Sequence, residues 1–255
     1  PGRGPAGRAR CPRFRLTMAA HVPGRQGSSF DGAGAFRFPE EAAPETGPYP
    51  LDLYGYTDGA GEGFKFGPFG VAYDWRKDWS AEIEIMPLRL GYNYVGGEMS
   101  FTSSLDGLSY WSSYYSGFVV DCLAVLAGLS YRPIAPSALQ RHAIEVGLAA
   151  GPAFIGLKNE GEGIFLLPPA RKVAVCARAK VGYDFEIVPA LSLGAFAGYR
   201  YLETSFGGLE GSMTAIFISS AEPNPELRRQ TTAALPALPV KASGFYWGFR
   251  TGFRF

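Results

Sequence analysis

Apolar and polar residues alternate along several stretches of the chain, most clearly at its C-terminus. Within residues 243–255, the odd-numbered positions are mostly aromatic: Ser243, Phe245, Trp247, Phe249, Thr251, Phe253 and Phe255. The even-numbered positions are glycine, tyrosine and arginine: Gly244, Tyr246, Gly248, Arg250, Gly252 and Arg254. A period of two with different chemistry on its two faces predicts a β-strand between two environments.

Residues 172–188 show the same pattern, with apolar residues from Val173 to Ile187 on one parity. The even-numbered positions carry every charge of this segment. A shift of one residue would turn all these charges to the apolar face, so the register is specified. Weaker alternation predicts six further strands, which makes eight: 12–22, 64–75, 80–103, 115–132, 143–157 and 191–206.

The strand over 80–103 changes the parity of its apolar residues after Pro87. Ile83 and Ile85 precede this proline on one parity, and Leu88 follows it on the other. A β-bulge at Pro87 would reset the two faces, because an extra residue reverses the alternation. The sequence therefore predicts a bulge at Pro87 and an inward-facing Arg89.

Short and long connections alternate between these strands. The short ones are 76–79, 133–142 and 189–190, and the long ones are 23–63, 104–114, 158–170 and 207–241. This alternation is typical of barrels with short periplasmic turns and long extracellular loops, and it places both termini on the periplasmic side. Residues 27–38 alternate weakly and are assigned to the first long loop; if they span instead, ten strands is the alternative.

The size of the aromatic residues distinguishes a membrane barrel from a soluble one. An eight-stranded barrel is just wide enough to be filled by side chains, so the Phe and Trp residues of the last strand would overfill it. Turned outward they face lipid, which predicts an all-β fold: a transmembrane antiparallel up-and-down β-barrel of eight strands. A soluble, lipocalin-like barrel is the alternative. Residues 12–255 are predicted to form this single domain, and residues 1–11 a disordered or wrongly assigned leader.

The composition supports a membrane barrel without pointing to a charged partner. The formal net charge is +1 and charged residues make up 18% of the 255 positions, so nucleic-acid binding is not expected. The longest apolar stretch, 117–131, is interrupted by Asp121 and is shorter than the roughly 18 residues that a spanning helix needs. Residues 1–10 contain no apolar signal-peptide core.

Charges of both signs are predicted to line the bore. The predicted lumen-facing residues are Arg13, Arg15, Asp74, Glu82, Glu84, Asp121, Glu145, Lys172, Arg178, Lys180, Asp184, Glu186, Arg200, Arg250 and Arg254. Such charges either neutralise one another and fill the bore or line a narrow path for water and solutes.

Aromatic residues near the strand ends predict two membrane girdles. Trp75 and Trp79 are assigned to the lower girdle. Tyr110, Trp111, Tyr199 and Tyr201 are assigned to the upper one. Ten residues at a tilt of about 40° rise roughly 25 Å, which is the height of the apolar band of such barrels.

The last strand resembles the C-terminal signature of bacterial outer-membrane barrels, a terminal Phe preceded by aromatic residues at alternate positions. Trp247, Phe249, Phe253 and Phe255 match this signature, and Thr251 departs from it. The resemblance implies an outer-membrane location and recognition by the barrel assembly machinery. In its strand and loop plan the chain is similar to the OmpA-, OmpX- and OmpW-like groups. The end of the first strand, 20–23, favours the OmpW-like group, which implies a hydrophobic ligand path opening sideways into the membrane.

Candidate catalytic and metal-binding residues are few. The two histidines are His21, predicted to face inward near Ser28 and Ser29, and His142, predicted at the periplasmic interface. No acid is placed to orient His21, and the three cysteines are far apart, so no enzyme, cofactor or metal site is predicted.

The expected function is a narrow path for small solutes, hydrophobic ones included. The alternative is a closed barrel whose long extracellular loops make it a surface adhesin or a structural protein. The expected partners are outer-membrane lipid, the assembly machinery and a small solute or surface ligand.

Overall fold

The computed structural model is built of β-strands and describes residues 13–23, 28–37, 49–57, 65–76, 78–103, 105–134, 141–160, 165–166, 169–219, 226–234 and 237–255. Its strands are β1 Arg13–Pro23, β2 Ser28–Arg37, β3 Tyr49–Thr57, β4 Lys65–Asp74, β5 Trp79–Thr102, β6 Ser109–Ile134, β7 His142–Glu160, β8 Phe165–Leu166, β9 Ala170–Val188, β10 Leu191–Phe206, β11 Glu210–Ser219, β12 Glu226–Ala234, β13 Leu238–Lys241 and β14 Gly244–Arg254. Within the described ranges, no helix is long and apolar enough to cross a membrane. The predicted leader, residues 1–11, lies outside these ranges, and the single-domain assignment stays a prediction.

Eight of these strands form a closed antiparallel barrel. In ring order they are β1, β4, β5, β6, β7, β9, β10 and β14. The ring closes where β14 pairs with β1, with Arg15 opposite Arg254. The predicted eight-stranded up-and-down barrel is confirmed. The bounds of β10 agree with the prediction, whereas β6 begins six residues earlier than predicted.

A second ring of strands, which we call the head, stands at the end of the barrel that carries the long connections. It consists of β2, β3, β11, β12 and the upper ends of β5 and β6. The ring runs β2–β3–β5–β6–β11–β12 and back to β2. The weak alternation over residues 27–38 is therefore strand β2 of the head and adds no strand to the barrel. Of the two short strands, β8 pairs with β11 and β13 pairs with β10.

The predicted bulge at Pro87 is wrong. Pairing between β5 and β6 continues in register from Trp79 to Tyr92, and the irregularity lies between Tyr92 and Val95. A proline removes one ladder hydrogen bond but adds no residue, so the register passes through it. Arg89 consequently lies on the outer face of the barrel, where its side chain is exposed.

The interior of the barrel is divided into two layers. Charged side chains fill the lower layer, near the short turns. Above them lies an apolar layer that continues into the head and includes Met86, Val120, Cys122, Leu126, Ile155, Leu157, Cys176 and Leu202. The polar lumen predicted from the sequence is therefore confined to the lower half.

Candidate functional site

The Glu145 carboxylate is the centre of the lower layer and is fully buried. Oε2 accepts a hydrogen bond from Arg15 Nη2 at 2.8 Å and one from Arg132 Nε at 3.3 Å. Oε1 accepts one from Arg250 Nη1 at 2.9 Å and lies 3.4 Å from Lys180 Nζ. Four cations from four strands thus converge on one carboxylate.

A second cluster joins strands β5 and β9 across the bore. Arg178 donates to both Glu82 and Glu84, and Lys180 Nζ lies 2.7 Å from Glu82 Oε2 and 2.9 Å from Glu84 Oε1. All four side chains are at most 5% exposed. Because Lys180 also contacts Glu145, the two clusters form one network.

Arg250 and Arg132 extend this network towards the short turns. Arg250 donates two hydrogen bonds to Asp184, from Nε at 2.8 Å and from Nη2 at 2.7 Å. Arg132 binds Asp74 with both Nη atoms, at 3.0 and 3.2 Å. The sequence prediction missed Arg132. This residue lies on the same face of β6 as buried Ser130, whereas Tyr131 between them faces outward and is exposed.

The network is electrically neutral. Its five cations are Arg15, Arg132, Arg178, Lys180 and Arg250, and its five carboxylates are Asp74, Glu82, Glu84, Glu145 and Asp184. Charges buried this deeply are stable only when they are paired and hydrogen-bonded. The charges therefore fill the bore with matched ion pairs.

Glycines on the inward face make room for these long side chains. At Gly182 a Cβ would lie 2.6 Å from Arg250 Nη2, and at Gly194 it would lie 2.2 Å from Asp184 Oδ1. Any larger residue at these positions would displace the ion pair, so the glycines are part of the packed network.

Three of the remaining predicted lumen residues, Glu186, Arg200 and Arg254, lie inside the barrel, whereas Lys172 lies at its upper rim. Arg254 pairs with Glu186, and both are about 15% exposed. Arg200 is fully buried between the charged and apolar layers, where its Nε donates to the carbonyl of Ala242 at 2.8 Å. Lys172 is exposed and donates to the carbonyl of Ser205 at the upper rim.

Asp121 lies on the outer face of β6 rather than in the lumen. Its side chain is 48% exposed and forms ion pairs with Lys158 and Arg89. The inward-facing neighbours of Asp121 on β6 are apolar, Val120 and Cys122. For Arg13 the structure gives the position in β1, opposite Asp74, and the side chain lies outside the described part.

Most of the predicted interface aromatics are on the outer face. Trp75, Tyr199 and Tyr201 are exposed on the barrel wall, as are the C-terminal residues Trp247, Phe249, Phe253 and Phe255. Trp111 is also exposed, but it lies on the head, opposite Ile218 of β11, and not in a girdle of the barrel. Trp79 is half-buried and contacts Tyr131 at the lower end of the wall. Tyr110 is not in a girdle: it is buried inside the head, because the pairing of β6 with β5 turns it inward.

The head has an aromatic core directly above the apolar layer. Phe101 lies at its centre, with ring centroids 5.0 Å from Phe217, 5.5 Å from Tyr49 and 5.5 Å from Tyr110. Phe36 packs between Tyr49 and Phe217. Aromatic contacts of this kind add stability beyond the area they bury, so the core holds the strands of the head together.

The turn between β5 and β6 is fixed by Asp106. Its carboxylate accepts hydrogen bonds from the backbone N–H of Leu108 at 2.9 Å and from the Tyr110 hydroxyl at 2.8 Å. Both bonds favour the charged carboxylate and lower the pKa of Asp106 below its ordinary value. The turn thus connects the surface of the head to its aromatic core.

The histidines are engaged in structural hydrogen bonds. His21 is buried in β1 and its Nδ1 donates to the carbonyl of Gly67 at 2.7 Å. Exposed His142 bonds through Nδ1 to the Tyr183 hydroxyl. In the described ranges, no three His, Cys, Asp or Glu side chains are grouped as a metal site.

The outer wall of the barrel is apolar over the height of the charged layer. Its exposed side chains include Ile83, Ile85, Leu129, Val146, Leu148, Val173, Val175, Val181, Leu193, Phe245, Phe249 and Phe253. A soluble barrel would bury these residues and expose the charges. Apolar residues outside and charges inside are the distribution of a barrel that spans a membrane.

No family model and no curated protein matches the chain. Among solved structures, the chain is similar to the outer-membrane protein OprG from Pseudomonas aeruginosa, with 10% identity, a TM-score of 0.42 and 95% of each chain covered. It is also similar to Ail, the attachment invasion locus protein of Yersinia pestis, in complex with the heparin analogue sucrose octasulfate. That match has 11% identity and a TM-score of 0.37, and covers 96% of this chain and 99% of Ail.

The apolar outer wall and the charged interior of the chain itself are those of a barrel that spans a membrane. The protein is an eight-stranded antiparallel β-barrel.

Proposed function

We propose that the protein is a closed, non-catalytic barrel of a bacterial outer membrane that holds the head at the cell surface, where the head contacts other molecules. The observation that carries this proposal is the packed interior. The ion pairs around Glu145 and Arg178 are at most a few per cent exposed, so no water-filled gap runs beside them. An ion would have to break several buried pairs to pass, which is costly for each pair.

The apolar layer and the head add a second block to any path through the barrel. Val120, Leu126 and Leu202 are fully buried above the network, and the Phe101 cluster lies above them. An ion that crossed the lower layer would therefore enter a region without polar partners, which is unfavourable. Both layers favour a closed barrel over a pore for ions.

The surface of the head supports a role in water outside the membrane. Exposed positions of β5 and β6 in the head are mostly polar, including Glu98, Ser100, Thr102, Ser109 and Ser113. At about 3.3 Å per residue and a tilt of about 40°, the upper end of β5 rises roughly 30 Å above Arg89. The head thus extends beyond the membrane and is available to soluble or surface-bound partners.

Conductance of the refolded protein in a planar lipid bilayer tests the closed barrel. We expect no discrete channel steps, with heat-modifiable migration on a gel showing that the barrel has formed. An established porin in the same chamber is the positive control. Channel steps whose size changes in Arg250→Glu would contradict closure and would favour a solute path through the bore.

A path for hydrophobic solutes is the second candidate, and the apolar layer above the network favours it. Such a solute would enter from the head and displace side chains around Leu126 and Leu202, as the resemblance to the OmpW-like group implies. An apolar fluorescent probe that binds the folded protein with submicromolar affinity, and loses this affinity in Leu126→Arg, would support the path.

We also propose that the exposed aromatic face of β14, ending at Phe255, is recognised by the barrel assembly machinery. Trp247, Phe249 and Phe253 point outward along the strand that closes the ring, so they are available to a partner before closure.

A further inference from the structure

A row of charged residues crosses the outer face of the barrel on four neighbouring strands. In the strand register, Arg89 lies opposite Asp121, Asp121 opposite Gly156, and Gly156 opposite Arg171. Lys158 follows Gly156 by two residues, so it lies on the same face of β7. The row therefore brings three cations and one carboxylate together on the wall.

The charged side chains of the row face the surroundings. The side chains of Arg89, Lys158 and Asp121 are 62%, 56% and 48% exposed. Lys158 Nζ lies 2.5 Å from Asp121 Oδ2, and Arg89 Nε lies 3.9 Å from Asp121 Oδ1. Arg171 is exposed and forms no ion pair with any residue in the described ranges. Asp121 therefore pairs with both Lys158 and Arg89, and Arg171 is the cation of the row that has no described ion pair.

The row lies at the upper edge of the apolar wall. Arg89 comes ten residues after Trp79, and Asp121 comes ten residues before Tyr131, the partner of Trp79 at the lower end. Ten residues correspond to roughly 25 Å along the membrane normal, the height of the apolar band. Because the strands tilt, different members of the row lie at different heights around this boundary.

The exposed residues change character at this level. Below the row they are apolar, as at Ile85 on β5 and Leu123 on β6. Above it, on β5 and β6 in the head, they are mostly polar, as at Glu98 and Ser113. This change places the row where lipid headgroups of the outer leaflet meet the wall.

A notch at Gly156 offers space for an anion between the cations. A Cβ added to Gly156 would have only the Asp121 carbonyl oxygen within 4 Å, at 4.0 Å. A cavity of about 460 Å³ opens here, and its lining includes Phe154, Gly156 and Arg171. Arg171 and Lys158 are diagonal neighbours on paired strands, about 7–8 Å apart at the backbone. Arg171 lines the cavity, and a lysine side chain is long enough to span this distance from Lys158.

An apolar groove lies below the notch on the same strands. It encloses about 840 Å³ and has small residues in its floor, among them Ala127, Ala150, Ala177 and Ala179. Ala150 is six residues below Gly156 on the same face of β7, so the groove continues the line of the notch. An acyl chain fits such a groove, since alanines leave space that larger side chains would fill.

We propose that the row binds the phosphate of an outer-leaflet lipid between Lys158 and Arg171, with an acyl chain of that lipid in the alanine groove. Asp121 holds the ammonium of Lys158 beside the notch before the lipid binds. Charged phosphates pair strongly with Arg and Lys, especially away from bulk water. This inference rests on the proposed placement of the protein in an outer membrane.

The test measures lipid binding to the full refolded chain. Phosphatidic acid is titrated into phosphatidylcholine nanodiscs that contain the protein, and the bound lipid is counted by native mass spectrometry. At about 1 kcal/mol for each cation near a membrane surface, the double variant Lys158→Gln/Arg171→Gln is expected to bind phosphatidic acid about thirtyfold more weakly. The matched control is Arg37→Gln/Lys241→Gln, which removes two exposed cations from the upper part of the molecule and is expected to bind like the parent chain.

A second variant separates the notch from the charges. Gly156→Leu keeps every cation, fills the notch and has room on the lipid-facing side, so we expect it to insert normally and to lose the preference for phosphatidic acid. Equal binding by the parent chain and the Lys158→Gln/Arg171→Gln variant would overturn the site. Full displacement of the lipid by inorganic phosphate would show that free phosphate, rather than a lipid, is the ligand. Insertion without any lipid preference would overturn this site alone, whereas failure to insert into phosphatidylcholine would overturn the membrane placement as well.

Discussion

Each charge inside the barrel depends on its neighbours, and Glu145 depends on the most. Its carboxylate contacts Arg15, Arg132, Lys180 and Arg250 while fully buried. Removing this one charge would leave four cations with too few acceptors. The network is therefore stable as a set and vulnerable at single positions.

The substitution Glu145→Gln is expected to lower the free energy of unfolding by about 3 kcal/mol, because it leaves buried cations uncompensated. The measurement is urea unfolding of the refolded protein in phosphatidylcholine vesicles. The matched control is Glu210→Gln, which changes an exposed glutamate of the head and is expected to change the free energy by less than about 0.5 kcal/mol. Equal effects of the two substitutions would show that the network is not the source of stability.

Asp121 and Arg132 each lie on the face of β6 opposite to the one that the sequence prediction gave or implied. Asp121 was predicted inside because charges facing lipid are costly. That cost falls to about 0–1 kcal/mol near the membrane interface, where Asp121 also pairs with Lys158. Arg132 was missed although the parity of β6 places it inside, beside Asp74. The alternation along the strand is thus a better guide than charge at both positions.

The barrel strands could be predicted because each separates lipid from a charged or glycine-lined interior, as β9 and β14 show. The strands of the head could not, since both of their faces are less distinct. The pairs β2–β3 and β11–β12 are local hairpins, but they join the head only through partners distant in sequence, β3 with β5 and β12 with β2. The bulge of β5 is predicted at the wrong position because Pro87 is visible in the sequence. The actual irregularity follows Tyr92, where no residue type marks it.

Strand β11 provides a test of the aromatic core of the head. Phe217 is fully buried against Phe101 and Phe36, whereas the adjacent Ile216 is 41% exposed. We expect Phe217→Ala to destabilise the head by about 3 kcal/mol, since truncating a buried aromatic leaves a cavity. Limited proteolysis in membranes should then cleave the head faster while heat-modifiable migration of the barrel persists.

Ile216→Ala is the matched control for this experiment and is expected to leave the rate of cleavage close to that of the parent chain. Loss of heat-modifiable migration in Phe217→Ala would show that the head and the barrel are one cooperative unit.

At the scale of the molecule, β5 and β6 are the described strands that the barrel and the head share. Strand β5 alone has 24 residues and passes from the lower turn to the top of the head. Its two ends therefore lie on opposite sides of the membrane. The β4–β5 turn at Arg76 is assigned to the periplasm and the β5–β6 turn at Leu105 to the cell exterior.

Cysteine labelling on intact cells tests this orientation. In a Cys11→Ser background, a membrane-impermeant maleimide should label Leu105→Cys, whose parent side chain is 71% exposed, but not Arg76→Cys. Cys122 and Cys176 are buried and should not react. Labelling of Arg76→Cys alone would mean that the barrel is inserted in the opposite direction.

The seam between β1 and β14 also determines when the protein can fold. In the strand register, Arg15 of β1 lies opposite Arg254 of β14. The ring therefore cannot close until nearly the whole chain has been synthesised. Contacts between residues so distant in sequence form slowly, since the entropy of a long loop is lost before any pairing compensates for it. The unpaired edges of β1 and β14 would meanwhile be open to aggregation with other chains. The nascent protein is therefore expected to need a holding chaperone until its last strand is delivered to the membrane.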